Sequence, residues 1–307
     1  MDVVPQLTVL VTIGYLLTLF FNFQAGIPPD SELSLGLFRN SIGNLSDKYT
    51  TPITPAGYTF AIWGLIYSSF AAWLVYLITT LFRSNAKGAV YLNPPVINEA
   101  FLVAMFLNLT FNVTWLFAWD RTTFILSLIV LYLITISLYV ALSINATRVY
   151  QYIFVFREFG RFDLWANRVL VQNGIALYAT WTTVATKVNL SVTLMYVFGI
   201  DEVTTVYVCL LILATELITY FIFDCFIYDR YSRYILIVYP AAMWSLGGVL
   251  VANITNPTSV QAVLASSLFA LTFVFFVIKT VLVIIRDPVY VVAKLSGSDK
   301  SVYSRLV

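Results

Sequence analysis

The side chains best suited to chemistry in this 307-residue chain are tryptophans, amides and one acid, all set within apolar stretches. Three stripes carry the aromatic and amide groups: Phe60, Trp63, Tyr67 and Ala71; Asn108, Asn112, Trp115 and Trp119; Gly174, Tyr178, Trp181, Ala185 and Asn189. Steps of three and four keep each set on one helix face. A bilayer does not require such stripes, because Leu and Val satisfy lipid more simply. A large π-surface with one polar handle suits helix packing, where amides bond across helices at roughly 0.6–2 kcal/mol each. It suits a flat, mostly apolar ligand equally well, since aromatic walls bury such a molecule without exact hydrogen bonds.

The acid is Glu216, near the middle of an apolar stretch, with Tyr220 and Asp224 one and two turns further on. A carboxylate at bilayer depth costs roughly 2.5–3.5 kcal/mol on insertion scales, so Glu216 must face protein or water. It is protonated, paired with Lys187 or Lys279, or part of a proton-coupled path. Lys187 reads as lying near the far end of its own helix, which argues against it as the partner. Asp224 sits near a membrane boundary and is expected to be solvated. The chain has no histidine, which excludes a histidine-based triad or general base. Cys209 and Cys225 share one stretch 16 residues apart, too far along a helix to pair. Neither a metal site nor a required cofactor is expected from this set.

The elements that must position these groups are membrane spans. Sixty percent of the residues are hydrophobic and 10% charged, against roughly 25% charged in soluble domains. Eight stretches are long enough for a hydrocarbon core roughly 30 Å thick, near 6–26, 57–82, 99–119, 123–145, 169–192, 204–227, 234–252 and 260–285. The fold predicted is an all-α polytopic membrane protein. With eight spans, twelve Lys and Arg residues fall with the two termini and the even-numbered loops, and three (Arg39, Lys48, Arg121) fall opposite. That bias predicts both termini in the cytosol. The first span lacks a basic leader, so it reads as a span rather than a signal peptide. The net charge of +2 carries no suggestion of nucleic acid, because the basic residues serve topology.

The longest loop on the less basic side, about 28–56, ends in Thr51-Pro52-Ile53-Thr54-Pro55-Ala56-Gly57, which cannot be regular helix. A loop of this size can fold back over a cavity as a lid. The 146–168 segment interleaves arginines with Tyr150, Tyr152, Phe154, Phe156, Phe159 and Trp165. It reads as an interfacial helix on anionic lipid, a helix extension, or a basic loop. Trp244, with Pro240 and Gly247-Gly248 on the seventh span, suggests a kink and close helix packing.

At the stripe-bearing helices the residues resemble a known family. Thr54-Pro55-Ala56-Gly57-Tyr58-Thr59-Phe60-Ala61-Ile62-Trp63-Gly64-Leu65-Ile66-Tyr67-Ser68 is similar to the proline-rich turn and W-G-x-x-Y helix of the TspO/MBR (tryptophan-rich sensory protein/translocator protein, peripheral benzodiazepine receptor) family. Phe111-Asn112-Val113-Thr114-Trp115, followed by Phe117, resembles its third-helix L-N-x-x-W. Tyr178 to Asn189, YATWTTVATKVN, is similar to its fifth-helix Y-x-x-W-x-x-F-A-T-x-L-N. The resemblance covers about residues 1–195 and implies a five-helix bundle over 1–200, with three added helices over 201–288 and a cytosolic tail over 289–307.

The family binds porphyrins, sterols and aromatic drugs in a pocket roofed by the first loop, and some members break porphyrins down in light. The resemblance therefore implies a receptor or carrier for a flat hydrophobic ligand, a porphyrin or sterol. Trp63, Tyr67, Trp115, Tyr178 and Trp181 would form aromatic walls, Ala185 a gap, and Asn112 and Asn189 polar handles. The chain departs from the family in lacking a first-loop tryptophan and the tyrosine and arginine of the proposed sterol motif after Asn189. Proton-coupled transport through Glu216, and light-dependent porphyrin degradation, are the alternatives.

Asn44-Leu45-Ser46 and Asn253-Ile254-Thr255 are glycosylation sequons on the side assigned as exoplasmic. Tyr303-Ser304-Arg305-Leu306 resembles a tyrosine-based sorting signal, with sorting adaptors as partners through Tyr303 and Leu306. It favours endolysosomal or plasma membrane over the mitochondrial outer membrane. Beyond the lipid bilayer and the ligand, a homodimer is the remaining partner left open.

Overall fold

The computed structural model describes residues 3–289 and 291. The Tyr303/Leu306 signal and most of the tail lie outside the described residues. The order is α1 (Val4–Gly26), α2 (Ile42–Lys48), α3 (Ile62–Phe82), a small hairpin of β1 (Ser84–Asn85) and β2 (Gly88–Ala89), α4 (Glu99–Asp120), α5 (Phe124–Gln151), α6 (Ile153–Phe159), α7 (Arg161–Ala166), α8 (Asn173–Tyr196), α9 (Glu202–Ile222), α10 (Asp229–Ser232), α11 (Val238–Ala252) and α12 (Val260–Ile285). A 3-10 turn, Gly57–Ala61, leads into α3. Single π-helical turns, Asn167–Gln172 and Phe223–Ile227, join α7 to α8 and extend α9.

The protein is all-α and polytopic. Among the described residues six helices are long and apolar enough to cross a membrane: α1, α3 with its 3-10 turn, α4, α5, α9 with its π turn, and α12. Helices α8 and α11 complete an eight-helix bundle whose members match the eight expected stretches within a few residues at most ends. α8 is 24 residues long and packs against α3, α5, α9 and α11. Protein surrounds it almost entirely, so it can carry amides, hydroxyls and a lysine that lipid would not accept. α11 has 15 residues, about 22 Å of helix, and is shorter than the hydrocarbon core.

Side-chain caps start the helices where the chain turns. Asn98 accepts from Phe101 N–H, Ser259 from Ala262 N–H, and Asp201 from Thr204 N–H, which holds the Asp201 carboxyl below its ordinary range. The 146–168 segment combines two of its expected forms. α5 continues as far as Gln151, and two short helices follow with Phe162 and Trp165 exposed. Arg83, Arg148, Arg168, Arg233 and Arg286 gather at this end of the bundle, here termed the basic end.

Two apolar cores run side by side. One joins α1, α3, α4, α5 and α8, with Trp73 and Phe101 fully buried, and it reaches Ile235, Val238 and Ala241 at the start of α11. The other joins α8, α9, α11 and α12 around Cys209, Leu213, Leu246 and Ala265. Cys209 and Cys225 are both free and buried.

Segment 52–59 is fastened onto α11. Ala56 N–H donates to Gly248 O at 3.0 Å, the Trp244 indole to Thr59 O at 2.9 Å, and Asn253 Nδ2 to Pro52 O at 3.0 Å. Trp244 thus packs, as its neighbours suggest. Pro240 sits in the first turn of α11, where its missing N–H costs nothing, so the kink expected there is not formed. A Cβ on Gly248 would lie 2.2 Å from Thr59 Oγ1 and 2.9 Å from Pro55 Cβ. Gly248→Ala is expected to destabilise the folded chain by about 1–3 kcal/mol. Thermal unfolding in micelles reads it directly, and an unchanged midpoint would contradict the close approach.

Candidate functional site

The three stripes converge from α3, α4 and α8 on one cavity of about 500 Å³. Trp63, Tyr67, Asn112, Trp115, Trp181, Ala185 and Asn189 all line it. Tyr178 stands one layer behind: its ring meets Trp63 edge-on at 5.6 Å, and its hydroxyl accepts from Asn112 Nδ2 at 2.7 Å. Trp63 stacks on Tyr67 at 5.5 Å and lies edge-on to Trp181 at 6.2 Å, while Trp181 meets Phe60 at 5.7 Å. On the opposite wall Trp115 stacks on Trp119 at 5.7 Å.

The long loop closes one end. Ile42, Asp47 and Tyr49 from α2 and its flank, with Thr54, Pro55 and Gly57, complete the lining. α2 is pinned by Leu45 against Trp119 and Phe124, and Tyr49 meets Phe124 edge-on at 4.8 Å. The neighbouring loop is tied to α4 through Asp120, whose Oδ1 accepts from Arg39 and Asn40 N–H at 2.8 and 2.9 Å. Thr51 Oγ1 lies 2.8 Å from Ser191 Oγ on α8. The loop therefore sits as a lid over the cavity, with 51–57 along its rim.

The polar groups divide unequally. Asn112 accepts from Asn22 at 2.8 Å and donates to Tyr178, so it chiefly clamps α1 and α8 to α4. Asn189 exchanges hydrogen bonds with Ser127 at 3.1 and 3.2 Å. The indole nitrogens of Trp115, Trp119 and Trp181 have no partner, and each is buried with no surface open to the cavity. Asn22 and Trp119 were not among the sequence-derived site residues. Trp119 was legible as the last member of its stripe, whereas Asn22 stands outside every motif.

The charges pair differently from expectation. Lys187 Nζ lies 2.7 Å from Glu216 Oε1, the pairing that its assigned depth disfavours. α8 extends to Tyr196, four residues beyond the expected end, which leaves Lys187 about 14 Å from that end and level with mid-α9. Lys279 pairs with Asp224 at 2.7 Å, not with Glu216. Asp224 is buried rather than solvated, because Tyr239 also donates to it at 2.8 Å. Asn44 is exposed on α2. Asn253 spends its side-chain nitrogen on Pro52 O and Val249 O.

These helices and this cavity define a multi-pass membrane protein with a loop-covered aromatic chamber inside the bundle. The chain belongs to the TSPO-like protein family, whose model matches residues 8–280. The match runs past the three motif-bearing helices, α3, α4 and α8, and into α12. No curated protein and no solved structure matches the sequence.

Proposed function

We propose that the chain is a membrane receptor or carrier that binds a flat hydrophobic molecule of the porphyrin or sterol class in the aromatic cavity. Family membership supports a membrane receptor or ligand-binding role in general terms. The observation that carries the finer reading is the convergence of Trp63, Trp115 and Trp181 on one mostly apolar chamber. Such walls suit a ligand with a broad apolar face, as a porphyrin or sterol supplies. Trp63, Trp115 and Trp181 bury the face, Ala185 leaves it room, and the 51–57 segment is the entrance rim. The charge bias supports cytosolic termini, and the tail motif an endolysosomal or plasma membrane.

Protoporphyrin titrated into the full chain in nanodiscs is expected to quench tryptophan saturably, near one per chain, with affinity at least about tenfold weaker in Trp115→Leu/Trp181→Leu. Unsaturable quenching, or equal behaviour in the variant, would mean partitioning into lipid and end the assignment. The same titration under illumination separates binding from light-dependent breakdown. Proton-coupled transport remains the second reading. It draws on Glu216, whose ion pair borders a cleft at mid-span rather than a sealed core.

A further inference from the structure

α8 has two working faces. Trp181, Ala185 and Asn189 look into the aromatic chamber, whereas Thr183, Thr186 and Lys187 look the other way, into a separate cleft of about 860 Å³. Its side walls are α5 and α9. Along α5 they present Tyr132, Thr135, Tyr139, Ser143 and Thr147; along α9, Thr215, Glu216, Thr219 and Tyr220. The α5 row follows helical steps of three and four, and the α9 row is two pairs four residues apart, Thr215/Thr219 and Glu216/Tyr220, so each set shares one helix face. The cleft runs from Tyr228 and Ser232 at the basic end to the Lys187–Glu216 pair, twelve residues or about 18 Å up α9 from Tyr228. Exposed Ile136, Tyr139, Thr215 and Thr219 leave it open along its length to the surrounding bilayer.

Lipid tails cannot satisfy the far end. Glu216 Oε1 accepts from Lys187, but Oε2 has no partner. Lys187 Nζ donates to Thr186 Oγ1 at 3.0 Å and to Glu216, which occupies two of its three N–H groups. What is missing is one donor toward the carboxylate; the ammonium is buried among Thr186, Glu216 and the Tyr132 ring, whose centroid lies 5.5 Å away. An ammonium head can only donate and would meet the charge of Lys187, and a carboxylate can only accept and would meet that of Glu216. A hydroxyl donates without adding charge at bilayer depth. The last torsion of a glutamate is broad, so Oε2 can turn to meet it.

We infer that the α5–α9 cleft is a second binding site, entered sideways from the bilayer, for a neutral lipid with a hydroxyl head. The head donates to Glu216, the exposed member of the pair, and the apolar body lies along the tyrosine and threonine walls. This site is separate from the aromatic chamber.

The test uses the full chain in nanodiscs, carrying Trp115→Leu/Trp181→Leu so that the chamber does not contribute. Radiolabelled 1-hexadecanol and its methyl ether, which lacks the donor, are compared. A parallel pair, cholesterol and its 3-methyl ether, tells rigid from flexible alcohols. At least one alcohol is expected to bind saturably near one per chain and about tenfold more tightly than its ether. Glu216→Gln is expected to bring that ratio toward one. Thr219→Phe fills the cleft without touching the ion pair and is expected to weaken binding about tenfold, as is Ser143→Leu on the other wall. Alcohol and ether binding equally in both pairs, or a ratio unchanged in Glu216→Gln, would overturn the site, and so would indifference to both filling variants. Protoporphyrin quenching in Thr219→Phe with tryptophans intact reports the chamber alone, so either reading can fail without the other.

Discussion

Replacing Lys279 by methionine is expected to lower the stability of the folded bundle by about 3–5 kcal/mol, the range for removing one partner of a buried pair. Lys279 and Asp224 are both essentially inaccessible, and the ammonium also reaches Asp224 O and Ser232 O at 3.3 and 3.4 Å. Without it, Asp224 keeps only the Tyr239 hydroxyl, too little to hold a carboxylate away from water. The pair also anchors a larger cluster, in which Arg233 and Arg286 both reach Asp229 and Arg286 donates to Cys225 O at 2.6 Å. Unfolding by SDS in mixed micelles measures the loss. Lys279→Met with Asp224→Leu should recover most of it, because an apolar pair of similar volume needs no compensation. A single variant within 1 kcal/mol of the parent would refute the pairing.

The second large effect concerns the chamber. Ala185 is the small residue between Trp181 and Asn189 on the α8 face that lines it. Ala185→Trp places an indole where the ligand should lie, and protoporphyrin affinity is expected to fall by about a hundredfold, some 2.7 kcal/mol. The added ring occupies existing space rather than packed core, so the unfolding midpoint should move little. Affinity retained within threefold would show that quenching comes from another surface.

The bundle was legible because lipid imposes two simple demands, length and hydropathy, and six of the eight helices meet them plainly among the described residues. The chamber was legible because its stripes keep helical spacing and resemble a family, so seven of eight candidate residues line it and Tyr178 backs it. The ion pairs were not. Which cation meets which acid depends on helix ends and rotations, and a four-residue error at the end of α8 was enough to exclude Lys187. The capture of Asp224 by Lys279 depends on a π turn that rotates the last residues of α9 inward, and no local sequence signal marks such a turn. The polar handles also fell differently: Asn112 and Asn189 bind other helices.

The enclosed position of α8 has a consequence for biogenesis. With a buried lysine, asparagines and a run of threonines, this helix is a poor substrate for release into lipid by itself. Glu216, the partner that neutralises Lys187, arrives only with the following helix. The insertion machinery must therefore hold α8 until α9 emerges and deliver the two as a hairpin. Synthesis of the motif-bearing portion alone would leave a charged helix with nothing to neutralise it.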